Sequence, residues 1–378
     1  MSKLFDLCDV CEITMGQAPA GSSYNERGIG HPLIAGAGDF GKSTPKPKKY
    51  TSEPTKLSKV GDIIMCIRAT IGDLNWSDKE YCLGRGVVGL RPKSNLNVRY
   101  LWHFLNANKN NLLAKGTGST FKQISRVHIE ECKIALPSLD EQERIASILD
   151  KVDDIHCKRE CALNISNDFL HATFFEMFGD LENNPKNFPI GTIRDLVSSV
   201  NYGTSDKASE HSGEYPILRM GNITYQGYLD FTDLKYIDLN EKSKDKFLVR
   251  KGDLLFNRTN SKELVGKTAV FENDTEMAFA GYLVRVRPNK FGNNYFISGY
   301  LNSLHGKNTL VNMSKSIVGM ANINAQELQD IKILIPPKNL QDKYEAIFKA
   351  VRKRLEIYSE SKKELDKLLN TLSYRFFN

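Results

Sequence analysis

The chain contains no apolar run close to the ~20 residues that a membrane span requires, and nothing around Met1-Ser2-Lys3-Leu4-Phe5 resembles a charged stretch followed by an apolar core. Those absences predict a soluble, cytoplasmic protein. Cysteine is also sparse: seven residues, an odd number in 378, point to reduced thiols rather than a disulfide scaffold. The seven histidines include no H-E-x-x-H and no i, i+4 pair, which removes the usual helical zinc signature. No Ser/His/Asp order stands out. The Asn/Asp-Pro-Pro-Tyr/Phe element of an amino-methyltransferase is missing too, because Pro336-Pro337 runs into Lys338-Asn339. The expectation is a chain with no catalytic constellation, no metal and no cofactor of its own.

What the chain does have is a repeat. Asp6-Leu7 is answered by Asp195-Leu196, Gly61-Asp62-Ile63-Ile64 by Gly252-Asp253-Leu254-Leu255, Arg91-Pro92 by Arg287-Pro288, and Ile134–Pro137 by Ile333–Pro336, with an offset that grows from 189 to 199. Slow growth of this kind is what loop insertions in a shared fold leave behind. The period is far longer than the roughly 20 to 50 residues of solenoid repeats, so the repeated unit is a whole domain with its connector. Short β-branched runs such as Asp62–Ile67, Val87–Leu90, Asp253–Phe256 and Leu283–Val286 alternate with Gly-, Ser- and Asn-rich stretches, which predicts short strands between long loops. Helices are expected over Val98–Asn108 and Asn294–Ser303.

After Pro137 and Pro336-Pro337 the periodicity becomes helical. Ser138 precedes Glu141, and Asn339 precedes Asp342, at capping-box spacing. The second connector carries a 4-3 stripe of Tyr344, Phe348, Val351, Leu355, Tyr358, Leu365, Leu369 and Leu372, broken only by Lys362; the first carries Ile145, Ile148, Val152, Ile155 and Phe169, with a weaker second half. Helices over 140–178 and 339–377 would each be about 58 Å long. Charge supports pairing: 138–188 carries 5 Lys+Arg against 11 Asp+Glu, and 338–378 carries 10 against 6. Residues 1–137 are basic, 19 against 12, within a net charge of +7, which suits a polyanion partner as well as an ordinary solvated surface. The fold class expected is α+β: two pseudo-repeated mixed α/β domains, 1–137 and 181–337, joined by two long antiparallel coiled-coil helices within 138–180 and 338–378.

Two motifs tempt toward other functions. Gly36-Ala-Gly-Asp-Phe-Gly41-Lys42-Ser43 fits the phosphate-loop pattern of an NTPase, but Pro45 and Pro47 deny it the helix whose N-terminus would hold phosphate. Cys8-Asp-Val-Cys11 has metal-knuckle spacing, yet the repeat places Val197 and Val200 opposite, so these cysteines read as small core residues, as does Cys132 opposite Ile331. What remains is recognition chemistry on loops: Ser22, Ser23, Tyr24, Asn25, Lys42, Lys46, Lys48, Lys49, Arg68 and Arg85 in the first half, and Arg219, Arg258, Asn260, Ser261, Lys262 and Lys267 in the second. Lysine and arginine neutralise phosphates, while Arg, Asn and Ser also read base edges, so these loops suit double-stranded DNA.

With those residues in place, the chain resembles the specificity subunit of a type I restriction–modification enzyme over essentially its whole length. The resemblance rests on Ala135-Leu-Pro-Ser-Leu-Asp-Glu-Gln-Glu-Arg-Ile145, Arg219-Met-Gly-Asn-Ile223, Gly252-Asp-Leu-Leu-Phe-Asn-Arg-Thr-Asn260 and Gly61–Thr70, with Gly16–Asn25 and Gly36–Gly41 resembling one kind of first recognition domain. Asn339-Leu-Gln-Asp-Lys-Tyr344 departs from it, keeping Gln341 without the Glu-Gln pair. The resemblance implies two target recognition domains, each reading half of a split site, with the paired helices as a ruler. It further implies docking of two methyltransferase subunits that bring S-adenosylmethionine, and a motor-nuclease subunit that brings ATP and magnesium. A phosphate-loop NTPase and a coiled-coil adaptor without sequence preference are the rival readings.

Overall fold

The computed structural model describes residues 3–118, 122–317 and 320–377. The chain divides into two compact units: 1–159 with 360–378, and 160–359. Each is a mixed α/β body completed by one segment from each of two 40-residue helices, Leu139–Phe178 and Lys338–Phe377. The fold is α+β, as the repeat predicts.

The first unit is built on an antiparallel sheet of strands in the order Cys11–Met15, Val87–Pro92, Ile63–Cys66, Leu74–Trp76. Ile63–Cys66 is buried on both faces, which explains its unbroken apolar run. Gly61, at φ 88°, supplies the left-handed turn that launches it. The second unit repeats this sheet strand for strand, as Val197–Tyr202, Leu283–Pro288, Leu254–Asn257 and Thr268–Val270, with Gly252 at φ 92° in the same role. Register is kept as well: Ile63 faces Leu90 and Leu254 faces Val286.

A second sheet in each unit shares three strands and differs in its fourth. In the first unit it runs Tyr24–Asn25, Lys49–Thr51, His31–Ile34, Cys82–Leu83; in the second, Lys235–Ile237, Tyr215–Leu218, Met277–Phe279, Leu248–Val249. The fourth strand is added at opposite edges. The second unit also carries a small sheet of Thr259–Asn260, Met320–Asn322 and Lys315–Ile317.

The expected short helices form as Val98–Ala107 and Asn294–Asn302. Asn97 caps the first by accepting from the Arg99 and Tyr100 N–H groups, and Asn293 caps the second by accepting from Tyr295 N–H. At the first long helix Ser138 Oγ accepts from Glu141 N–H at 3.4 Å, as the capping spacing predicts. At the second the prediction fails: the helix starts at Lys338, so Asn339 lies inside its first turn. Pro337, with φ preset by its ring, supplies the carbonyl that accepts from Leu340 and Gln341 N–H.

Seam residues separate by helix. In the second helix Tyr344, Phe348 and Leu355 are buried and Val351, Tyr358, Leu365, Leu369 and Leu372 are half-buried, so the stripe is correctly placed. In the first helix Ile145 and Val152 are buried and Ile148 half-buried, but Ile155 is 42% and Phe169 52% exposed. The buried line runs instead through Ile145, Leu149, Val152, Leu170, Phe174 and Phe178. Polar side chains, His156 and Ser166 among them, occupy the seam's middle, so the isoleucine and phenylalanine that keep the apolar spacing lie off it.

Pairing is antiparallel in each unit. In the first, Ile145 and Leu149 share a core with Phe376 and Phe377, and further along His156 Nε2 meets Asp366 at 3.1 Å. In the second, Phe174 and Phe178 pack on Tyr344 and Phe296 with ring centres 4.7–5.8 Å apart.

Candidate nucleic-acid interface

Both units hold their sheet and loops with the same ion pair, a buried aspartate bound by a half-buried arginine. Arg91 donates to Asp62 from Nε at 2.7 Å and NH2 at 2.8 Å; Arg287 donates to Asp253 at 2.9 and 3.1 Å. Each aspartate also accepts a backbone N–H, from Lys59 at 2.8 Å and Arg250 at 3.0 Å, fixing the turn before its strand. A buried glutamine does equivalent work at the start of each long helix. Gln142 Nε2 donates to the Asn95 and Pro137 carbonyls, and Gln341 Nε2 to those of Phe291 and Pro336. Gln341 is thus the part of the helix-start motif that holds the loop, and it makes the same kind of contacts as Gln142 without the Glu-Gln pair.

On this shared scaffold the first unit presents its polar loops. Ser22 lies in a 3-10 turn, Gly21–Ser23, leading into Tyr24–Asn25, which pairs with Lys49–Thr51; the pairing brings Tyr24, Asn25 and Lys49 together. Ser23 must be removed from the candidate contacts. It is buried, its hydroxyl donating to the Ala20 carbonyl and lying 2.7 Å from that of Thr51. Asn25 shapes its own turn, accepting from Arg27 and Ile29 N–H. Lys42, Lys46 and Lys48 project from an exposed loop that Asn75 clamps through both polar groups of Gly41, at 3.0 and 3.2 Å. Arg85 is the exposed side chain between Gly84 and Gly86; a Cβ on Gly86 would lie 2.1 Å from the Ala35 oxygen, so the backbone packs there and only the arginine leaves the surface. Arg68 donates from Nε to Gln123 at 2.9 Å.

The phosphate-loop reading is overturned here. Strand His31–Ile34 leads into one 3-10 turn, Ala37–Asp39, and then an irregular loop bent over Lys42–Thr44 up to Lys49–Thr51, so no helix N-terminus meets Lys42-Ser43. Asp39 puts a carboxylate into the loop, accepting from Ala35 N–H at 2.8 Å. The metal-knuckle reading falls with it. Cys11 is buried, and burial pushes its thiol up to about 12, while Cys8 is exposed, contrary to the core position expected of it. Among the described residues no group of three or more His, Cys, Asp or Glu could hold a metal.

In the second unit, Arg219, Asn260 and Lys267 come together around a cleft of about 680 Å3. Arg219 is held by Asp233 at 2.8 Å. Lys267 is half-buried and donates to the Met220 and Ile223 carbonyls; burial lowers its pKa, so this lysine braces a turn rather than reaching outward. Asn260 accepts from Ser261 N–H, and Lys262 is exposed on the following turn. Arg258 lies outside the cleft lining, its guanidinium 4.9 Å from the ring centre of Tyr202. Sequence reasoning missed Tyr202 and Tyr282, the latter 54% exposed on the cleft rim. For Tyr282 the signal was available, because the repeat sets it opposite Gly86; for Tyr202 it was not, because the offset of 189 sets Met15 opposite Thr204 and only strand pairing, Met15 with Val88 and Tyr202 with Val284, matches the two.

The chain is similar to known proteins over most of its length. The model for the type I restriction modification DNA specificity domain matches residues 2–164 and 185–367. A putative type I restriction enzyme specificity subunit (MjaX) of Methanocaldococcus jannaschii is 37% identical over 145 residues, 38% of this chain but only 34% of that protein. The EcoKI specificity subunit of Escherichia coli is 24% identical over 313 residues, 77% of this chain and 67% of its own. Among solved structures, the type I restriction-modification S subunit of M. genitalium superposes with a TM-score of 0.63 at 15% identity, covering 100% of this chain and 96% of that one. That likeness concerns the fold.

Proposed function

Because this chain belongs to the family of type I restriction–modification DNA specificity subunits, we propose that it reads a split duplex target, half with each sheet-built unit, and passes that address to subunits that perform the chemistry. The observation that carries the reading is one scaffold used twice under different loops: the same four-stranded sheet and Arg–Asp pair recur, while the residues projecting from them differ. A rigid frame with variable loops is how one fold meets different bases. Ser22, Tyr24, Lys42, Lys46, Lys48, Lys49, Arg68 and Arg85 would face one half-site, and Arg219, Arg258, Asn260, Ser261 and Lys262 the other.

The long helices set the interval between the halves and dock two methyltransferase subunits. Ile155, Ile165, Phe169, Phe175, Ile357 and Leu368 stand exposed along them and would offer apolar side chains to such partners. Those partners bring S-adenosylmethionine, and a motor-nuclease partner brings ATP and magnesium. A stacked adenine cannot be methylated, so one adenine in each half-site swings into a partner's pocket. The test is methylation sequencing of host genomes with and without this gene. A split adenine-methylated motif should vanish with the gene. An unchanged set of motifs would refute the reading, and binding without sequence preference would favour an adaptor.

A further inference from the structure

Arg258 stands where the two units share a backbone and differ in chemistry. In the first unit that place is Ile67, whose N–H donates to the Gly86 carbonyl at 2.9 Å and whose carbonyl accepts from Ile124 N–H at 3.0 Å. Arg258 N–H donates to the Tyr282 carbonyl at 3.0 Å and its carbonyl accepts from Ile323 N–H at 2.9 Å. Ile67 is buried in the core. The arginine instead lies over Tyr202, which takes the place of Met15 at the end of the edge strand: Met15 faces Val88 and Tyr202 faces Val284. Both partners are pinned. The Tyr202 hydroxyl accepts from Ala325 N–H at 2.9 Å, and Arg258 Nε donates to Asn322 Oδ1 at 3.4 Å. Among the described residues no carboxylate pairs with Arg258, whereas Arg219 and Arg287 are each held by an aspartate.

We propose that Arg258 determines specificity in the second unit by reading a guanine through O6 and N7, an inference that rests on the DNA-reading function above. The Tyr202 ring under the guanidinium and the Asn322 contact, which uses Nε, hold the group in place and leave the terminal NH1/NH2 fork to donate. Guanine is the base that offers two acceptors to such a fork in the major groove. A phosphate contact needs charge but no fixed plane.

The experiment compares Arg258→Ile and Arg258→Lys chains, assembled with their modification partners in the host, by genome methylation sequencing. Isoleucine is the residue the first unit carries at this position, so the fold should tolerate it; lysine keeps the charge without the fork and carries the test if the isoleucine variant does not assemble. Both variants should lose discrimination at a single guanine of one half-site, roughly ten- to a hundredfold, with every other position unchanged. Unchanged recognition would overturn the proposal. So would a uniform loss over all positions that lysine restores, because that marks a phosphate contact. A wild-type complex that methylates no split target would refute the underlying reading before any substitution is made.

Discussion

The two units are closest in the frame beneath their loops and furthest apart in the loops themselves. Asp62 and Asp253 hold the same arginine partner in the same way, and Gly16 and Gly203 are both glycine because a Cβ there would lie 2.1 and 2.3 Å from carbonyl oxygens, of Gly84 and Ala280. Beyond that frame, lysines crowd one loop of the first unit, while the second offers a cleft rimmed by Tyr282 and an arginine laid on Tyr202. The difference teaches that a shared ion pair and a glycine contact tolerate little change, while the residues projecting above them are replaceable one set at a time.

The strongest way to break that comparison is to exchange one set outright. Replacing residues 1–137 with the first domain of another family member should change one half of the methylated motif and leave the other intact, provided aromatic residues remain at Tyr100 and Phe104, which pack on Phe377. A change in both halves would end the modular reading. Next come the two phenylalanines that stand in matching places in the long helices. Phe178→Ala and Phe377→Ala each remove a buried ring from one unit's core and should each cost about 3–5 kcal/mol, read by denaturant unfolding, with hydrogen exchange rising in the affected unit alone. Asp253→Ala should cost about 3 kcal/mol and Asp62→Ala less, since losing Asp253 strands both Arg287 and the buried Arg285, whose Nε lies 3.9 Å from it, whereas Arg91 keeps Glu12 at 3.3 Å. Equal losses would show that Glu12 and Arg285 play no part in how each frame depends on the shared pair.

The smallest effect belongs to a group found in one unit only. Burial pushes the Asp153 carboxyl above its ordinary 3.8, outweighing the pull of His103. A raised folded-state value means the folded chain holds that proton more tightly than the unfolded chain, so its charged form weakens the fold at every pH above the folded value, and the penalty disappears below 3.8. Asp153→Asn should therefore raise the melting temperature slightly at pH 7, with the gain shrinking as pH falls through the folded value toward 3.8. A gain that persists in acid would point to packing instead.

Much of this was legible in the sequence because it depends on spacing. The repeat located the strands, and the second helix's stripe was read in its true register because apolar residues fill it from Tyr344 to Leu372 with one interruption at Lys362. The first helix misled because His156 and Ser166 take seam positions, so Ile155 and Phe169 offered a better apolar pattern than the real one. Ser23 misled differently: a small hydroxyl satisfied by Thr51 and a carbonyl is as stable inside as outside, and periodicity does not register it. Tyr202 stayed unnoticed because its partner, Arg258, is brought beside it by strand pairing through Val284 and Leu283, not by sequence distance.

The first unit also has a history that the second lacks. Its core takes in residues 360–377, with Phe377 wedged against Tyr100 and Phe104, whereas the second unit is one continuous stretch, 160–359. On a ribosome adding roughly 5–20 residues per second, the half made first waits some ten to forty seconds for the segment that finishes it. The half made second can close as it emerges. For that interval the apolar residues around Phe104 and Leu149 lack the segment bearing Phe377 that shares their core in the finished unit, so the half synthesised first is the one completed last.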